Sequence, residues 1–135
     1  MDAKLVRHVW RRARFACEYC HMPQRFDDPP FEMDHVIPSV HGGKTVAANL
    51  ALSCFCCNAY KGSNVAGHDP ATDRLKPLFI PRVQKWTRHF EWNGAMLVGK
   101  TGIGRATIDV LKINLPERVS HRRLLTESGV QLRDT

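Results

Sequence analysis

The sequence predicts an α+β fold, in which a compact strand–loop–strand–helix core is held by a metal ion. Two C-x-x-C pairs, Cys17 to Cys20 and Cys54 to Cys57, lie on either side of a short alternating segment from Phe31 to Ile37. The second pair lies in a segment, Ser53 to Lys61, where residues 54, 57, 58 and 61 share one helical face. An N-terminal helix precedes this core, and a hairpin-plus-helix extension follows it.

Length and charge restrict the class of protein. The chain has 135 residues, 43% of them hydrophobic, which fits one globular domain with an appended subdomain. Its formal net charge of +7 favours polyanionic partners, nucleic acid first and anionic membranes second. No apolar run is long enough to span a bilayer, and the N-terminus lacks a signal-peptide pattern, so we expect a cytoplasmic protein without membrane contact.

The five cysteines point to a metal rather than to disulfides. The other interpretation, buried thiols that act as small hydrophobic residues, does not account for two C-x-x-C pairs in one short chain. Cys56 is left over, because only Cys57 keeps the C-x-x-C spacing with Cys54. A closed Cys₄ site has no open position for substrate, so the sequence predicts a structural zinc ion.

Helical periodicity predicts an N-terminal helix from residue 3 to about residue 15. Its arginines, among them Arg11 and Arg12, are either a solvated face or phosphate contacts. The segment from His41 to Thr45, which contains Lys44, is expected to form a tight loop because it includes two glycines. Val46 to Leu50 is expected to be extended or irregular.

The C-terminal half predicts shorter elements. Residues 63–81 are turn-rich, with a surface loop at 68–73. Asn93-Gly94 favours a type I′ hairpin turn, and helices are expected at about 105–114 and from Pro116 through Leu125. We therefore divide the chain into a core at 1–66, an extension packed on the core at 67–126 and a disordered tail at 127–135.

Three polar residues in the core have the chemistry that phosphodiester hydrolysis requires. A neutral histidine such as His35 can take a proton from an attacking water. The carboxylate of Asp34 and the amide oxygen of Asn58 are hard ligands that suit magnesium or manganese. Because Asp34 and His35 are adjacent, a strand would direct their side chains to opposite faces, and they reach one site only near a strand end.

The ordered set D-H-V-I-P, G-G, N-L and C-x-x-C-N-x-x-K-G, within residues 17–62, resembles the HNH endonucleases, also called ββα-metal nucleases. It is most similar to the branch with two zinc knuckles and asparagine at the third motif position. The resemblance implies that His35 is the general base and that Asp34 and Asn58 are ligands of a catalytic Mg²⁺ or Mn²⁺ ion. It also implies that Asn49 braces the loop and helps to orient His35.

The resemblance therefore implies a metal-dependent DNA endonuclease that leaves 5′-phosphate and 3′-hydroxyl ends. The alternative is a non-catalytic, zinc-stabilised module that binds nucleic acid. Lys61, Arg11, Arg12 and Lys44 are the candidate contacts to nucleic acid. The residues do not separate DNA from RNA and do not define an oligomeric state.

Overall fold

A computed structural model describes residues 1–132 and confirms the mixed helix-and-strand architecture. Helices are interspersed with pairs of strands, and the six strands of the described residues form three sequential hairpins. In chain order the helices and strands are α1 (Ala3–Arg12), β1 (Glu32–His35), β2 (Leu50–Ser53), α2 (Phe55–Lys61), β3 (Ala66–Asp69), β4 (Arg74–Pro77), α3 (Trp86–His89), β5 (Phe90–Asn93), β6 (Met96–Gly99), α4 (Gly102–Val110) and α5 (Pro116–Glu127).

The predicted strand–loop–strand–helix core is present. Strands β1 and β2 are antiparallel, with Glu32 opposite Ser53 and His35 opposite Leu50. A 3-10 turn at Ala47–Asn49 leads into β2, whose residues are all buried. Helix α2 follows β2 directly and contacts β1, so the hairpin and the helix pack as one unit.

Helix α1 is shorter than the sequence predicts. Asp2 caps its N-terminus through a hydrogen bond from the Lys4 amide, and Val9 is buried against the core. The helix ends at Arg12 because Arg14 and Phe15 adopt positive φ angles of 55° and 59°. A left-handed conformation of this kind cannot continue a right-handed helix.

The surface loop predicted at residues 68–73 is present as an exposed turn at residues 70–73, whereas residues 68 and 69 belong to strand β3. Strands β3 and β4 form an antiparallel hairpin there, and the Asp69 side chain is fully buried. Asp69 accepts two hydrogen bonds from Arg105 of α4, at 2.9 and 3.0 Å. The hairpin is therefore anchored by an ion pair to a residue 36 positions away.

The hairpin predicted around Asn93-Gly94 is confirmed as β5 and β6. The two loop residues are Gly94 and Ala95, and only Gly94 has a positive φ angle, of 60°. That pattern belongs to a type II′ turn rather than to the predicted type I′ turn. Helix α4 starts earlier than predicted, because the Thr101 hydroxyl caps it by accepting the Gly104 amide at 3.1 Å.

Helix α5 starts at Pro116 as predicted and runs to Glu127. Beyond it, the Val130 amide donates to the Leu125 carbonyl at 2.9 Å. Residues 133–135 of the predicted disordered tail lie outside the described residues, and the division into core, extension and tail stays a prediction.

One hydrophobic cluster links the two parts of the chain. Trp86 and Phe90 are 5% and 1% exposed, and they pack with their ring centroids 5.2 Å apart. The Trp86 indole nitrogen donates to the carbonyl of Tyr19, between the first two cysteines, at 2.9 Å. Between residues 1 and 132, no helix has the length and the apolar character that crossing a membrane requires.

Candidate active site and metal centre

Four buried cysteines meet at one point, as the sequence predicts. The sulfur atoms of Cys17, Cys20, Cys54 and Cys57 all lie within 4.8 Å of one another. The Cys20 amide approaches the Cys17 sulfur at 3.5 Å, and the Cys57 amide approaches the Cys54 sulfur at 3.4 Å. This arrangement is compatible with a tetrahedral zinc site, because zinc prefers four thiolates in a closed structural site.

Two neighbours place positive charge beside these sulfurs. Cys54 is the N-cap of α2, so the positive end of the helix dipole faces its sulfur. Arg118 donates from its guanidinium to the Cys57 sulfur at 3.1 Å. Burial lowers the pKa of Arg118, but the adjacent thiolates of Cys57, Cys20 and Cys54 outweigh that effect and raise it.

His35 lies at the C-terminal end of β1, and its half-buried side chain points away from the core. Its Nε2 atom lies 2.8 Å from the Thr45 hydroxyl, in the loop between β1 and β2. If the Thr45 hydroxyl donates to Nε2, the neutral His35 ring carries its proton on Nδ1. If Nε2 donates to the hydroxyl oxygen, Nδ1 is unprotonated and can accept a proton. Thr45 fixes the orientation of the ring, and sequence reasoning missed this residue.

Asn49 braces the same loop. Its side-chain oxygen accepts the Ile37 amide, and its side-chain nitrogen donates to the carbonyls of Ile37 and Lys44, each at 2.9 Å. Gly43 lies so close that an added Cβ would be 1.6 Å from the Ile37 carbonyl oxygen. Asn49 therefore holds the loop that carries Thr45, and it makes no direct hydrogen bond to His35 among the described residues.

Asp34 occupies a buried position on the face of β1 that contacts α2. Its carboxylate accepts a hydrogen bond from the Tyr19 hydroxyl at 2.6 Å and forms an ion pair with Lys61 at 3.1 Å. Burial raises the pKa of Asp34, and the Lys61 ammonium and the Tyr19 hydroxyl offset part of that rise. Both oxygens of this expected metal ligand therefore already accept hydrogen bonds from protein groups.

Lys61 is an interior residue in this structure. Its side chain is 1% exposed, and its ammonium donates to Asp34 and to the carbonyls of His35 and Val36, all at 3.1 Å. A buried ammonium with three partners does not reach a phosphate on the surface. Lys61 therefore has a structural role instead of the expected contact to nucleic acid. Its three hydrogen bonds fix the end of β1.

Asn58 projects from α2 on the same side as Lys61. Its amide nitrogen donates to the carboxylate of Glu32, which is exposed on β1. Among residues 1–132 no hydrogen bond is recorded to the Asn58 amide oxygen, so that atom is available as a ligand. Asp34 and Asn58 both lie between β1 and α2, whereas the His35 ring turns to the loop on the other side.

The three other expected contacts to nucleic acid lie in α1 and in the loop between β1 and β2. Arg11 and Lys44 are exposed. Arg12 is half-buried and donates to the carbonyls of Ala47 and Leu50 at 3.0 and 2.7 Å, so it ties α1 to the start of β2. Exposed basic residues recur at helical spacing along α1, at Lys4, Arg7, His8 and Arg11.

Comparison with known proteins places the core in a family. The family model described as "HNH endonuclease" matches residues 17–64, which contain the four cysteines and the candidate catalytic residues. The Septu protein PtuB of Bacillus thuringiensis is 30% identical over 111 residues, or 81% of this chain, and the chain spans 40% of that relative's length. No solved structure matches the chain. Residues 17–64 are therefore an HNH endonuclease domain.

Proposed function

We propose that this protein is a metal-dependent DNA endonuclease that hydrolyses phosphodiester bonds. The observation that carries the proposal is the position of His35: in an HNH domain, at the end of β1, with a half-buried ring oriented by Thr45 at 2.8 Å. An imidazole that is both oriented and reachable is what a general base requires.

In this mechanism His35 accepts a proton from the water that attacks phosphorus. Thr45 holds the ring, and Asn49 holds the loop that carries Thr45. Lys61 fixes the backbone at His35 and Val36, so the base is supported from both sides. The scissile P–O bond breaks at the 3′ oxygen, which leaves 5′-phosphate and 3′-hydroxyl ends.

The residues present suit two different metal ions. Cys17, Cys20, Cys54 and Cys57 would hold zinc as a structural ion, because their four sulfurs form a closed set. Asp34 and Asn58 offer carboxylate and amide oxygens, which suit Mg²⁺ or Mn²⁺. Such an ion, when bound, supplies electrostatic stabilisation of charge on the phosphate and on the leaving oxygen.

The exposed basic face of α1 supports the choice of nucleic acid as substrate. Lys4, Arg7 and Arg11 are exposed, and none of them forms an ion pair within residues 1–132. Arg12 joins this helix to the segment just after Thr45. We propose that the face follows the phosphate backbone next to the site. Replacing Lys4, Arg7 and Arg11 with Gln should reduce the slope of log K against log salt by about 2 to 3.

The test of the proposal is plasmid cleavage by purified protein in Mg²⁺ or Mn²⁺, beside a His35→Ala variant. We expect His35→Ala to cut at least about 100-fold more slowly, because it lacks the base. It should bind DNA as the wild type does, since the α1 face is unchanged. Equal cutting by both proteins would refute the role of His35.

A second candidate function is a non-catalytic module that binds nucleic acid and is stabilised by zinc. The ion pair between Asp34 and Lys61 favours it, because a carboxylate that is already paired is a poorer ligand for a catalytic ion. Mobility shift without cleavage in any divalent metal would support this candidate. This chain spans 40% of the length of PtuB, so the activity and partners of that longer protein do not decide between the two candidates.

A further inference from the structure

Arg118 joins the C-terminal helix α5 to the four-cysteine cluster. One nitrogen of its guanidinium lies 3.1 Å from the Cys57 sulfur and 3.9 Å from the Cys54 sulfur. The other donates to the carbonyls of Leu111 and Lys112 at 2.7 and 3.0 Å. A single side chain therefore bridges the turn after α4 and the sulfurs, and it lies outside the HNH domain at 17–64.

The negative charge of a metal site with four thiolates gives a function to the contact between Arg118 and the sulfurs. A divalent ion bound by four thiolates leaves a net charge of about −2 on the centre. Cys54 and Cys57 are 2% and 0% exposed, so water does little to offset that charge. A guanidinium that donates to a buried thiolate forms a charge-assisted hydrogen bond, which is stronger than a neutral one and stronger again at low dielectric.

We propose that Arg118 is the outer partner of the metal centre: it neutralises and orients the thiolates of Cys57 and Cys54. Metal retention by the HNH domain then depends on the docking of α5. Outer partners of this kind fix ligand orientation, and their loss commonly weakens metal binding by about 10- to 100-fold. The inference rests on the zinc occupancy proposed above.

The competing explanation is that Arg118 only holds the turn through Leu111 and Lys112. The two explanations differ in their effect on the sulfurs. A hydrogen bond to a thiolate lowers the energy of its lone pair, which raises the energy of the sulfur-to-metal charge transfer. Removing that bond moves the charge-transfer band to longer wavelength, whereas a loosened turn that leaves the bond in place does not.

The experiment compares the full chain with Arg118→Gln, Arg118→Lys and the control Arg123→Gln, which changes an exposed residue of the same helix. Zinc transfer to a chelator and the absorption of the Co²⁺-substituted protein are measured for each. We expect Arg118→Gln to release zinc at least about 10-fold faster and to shift the cobalt band to longer wavelength. Arg118→Lys, which keeps the charge, should fall between wild type and Arg118→Gln, and the control should match wild type.

An Arg118→Gln protein with the wild-type band and the wild-type rate of zinc transfer would overturn the inference. If Arg118→Gln does not fold, the band of Arg118→Lys decides: a shift supports the inference and an unchanged band overturns it. A wild-type protein that holds no zinc when prepared in its presence would refute the zinc proposal itself, and the inference with it. Absence of cleavage by zinc-loaded wild type, together with the expected changes in the Arg118→Gln protein, would count against the catalytic proposal alone.

Discussion

Asp34 is a carboxylate in the interior whose two oxygens accept hydrogen bonds from Tyr19 and Lys61. The resemblance implies that Asp34 is a metal ligand, and the sequence predicts Lys61 as a candidate contact to nucleic acid. The buried pair could not be inferred from spacing, since the two residues are 27 positions apart. Asn49 shows the opposite case, because its hydrogen bonds to the loop fit the bracing role that the resemblance implies.

Removing one member of the buried pair should destabilise the protein strongly. We predict that Lys61→Met lowers the free energy of unfolding by about 3–5 kcal/mol, because it leaves the Asp34 charge buried and unpaired. Urea denaturation of the zinc-loaded protein at neutral pH measures the change. Lys44→Met, at an exposed site, is the control and should change stability by no more than about 0.5 kcal/mol. A similar small effect for Lys61→Met would show that the ion pair does not form.

Gly43 is a second residue for which local packing decides the outcome. An alanine Cβ would lie 1.6 Å from the Ile37 carbonyl oxygen and 2.9 Å from the Asn49 side-chain nitrogen. We predict that Gly43→Ala displaces the loop, lowers stability by about 1–3 kcal/mol and slows DNA cleavage, because Thr45 no longer orients His35. Ser39→Ala, an exposed loop substitution, is the control for denaturation and cleavage. Unchanged cleavage by Gly43→Ala would separate this loop from the site.

At the scale of the elements, the hairpin β3–β4 depends on Arg105, a residue distant in the sequence. Asp69 accepts hydrogen bonds from Arg105, from the Thr72 hydroxyl at 2.7 Å and from the Ala71 amide at 3.0 Å. These bonds, those from Arg105 first, lower the pKa of Asp69 well below its ordinary value. The hairpin is therefore stabilised by a carboxylate that must remain ionised.

This network should make part of the stability depend on pH. Because the pKa of Asp69 is lower in the folded state, its contribution is complete above the unfolded value of about 3.9 and is lost as the pH falls toward the folded value. We predict that the stability advantage of wild type over Asp69→Asn decreases between about pH 6 and about pH 3. Denaturation of both proteins measures the difference, at each pH in this range at which both still hold zinc. An advantage that stays constant or grows at low pH would contradict the assignment.

The sequence predicted the elements whose signals are local. The C-x-x-C pairs and helical spacing located β1, α2 and the metal cluster, and Asn93-Gly94 located the hairpin β5–β6. It missed β3–β4, because residues 66–77 are rich in polar and turn residues and the burial of Asp69 comes from Arg105 on α4. It also missed Arg118, which lies 61 positions from Cys57. Contacts between distant segments carry no periodic signal.

At the scale of the whole molecule, contacts join the four-cysteine cluster to the C-terminal half of the chain. The first cysteine pair is linked to this half through the bond from Trp86 to the Tyr19 carbonyl and through the ion pair of Arg82 with Glu18. The second pair is linked to it through Arg118. A chain of 135 residues has a small core, so a metal bound at this point is expected to contribute directly to folding.

Zinc removal should therefore abolish folding and cleavage together. We predict that zinc-free protein loses the near-UV signal of buried Trp86 and does not cut DNA even in saturating Mg²⁺, because the helix that carries Asn58 is no longer held. Circular dichroism and cleavage after removal and return of zinc measure both effects. A zinc-free protein that folds and cuts normally would exclude this coupling.

The most direct test of the nuclease site is single-turnover cleavage of a defined DNA duplex in Mg²⁺, with the ends mapped. Wild type should leave 5′-phosphate and 3′-hydroxyl ends. His35→Ala and Asn58→Ala should each bind the duplex and retain zinc, yet cut at least about 100-fold more slowly. Wild-type cleavage rates in both variants, or no cleavage by zinc-loaded wild type in Mg²⁺ or Mn²⁺, would contradict the proposed site.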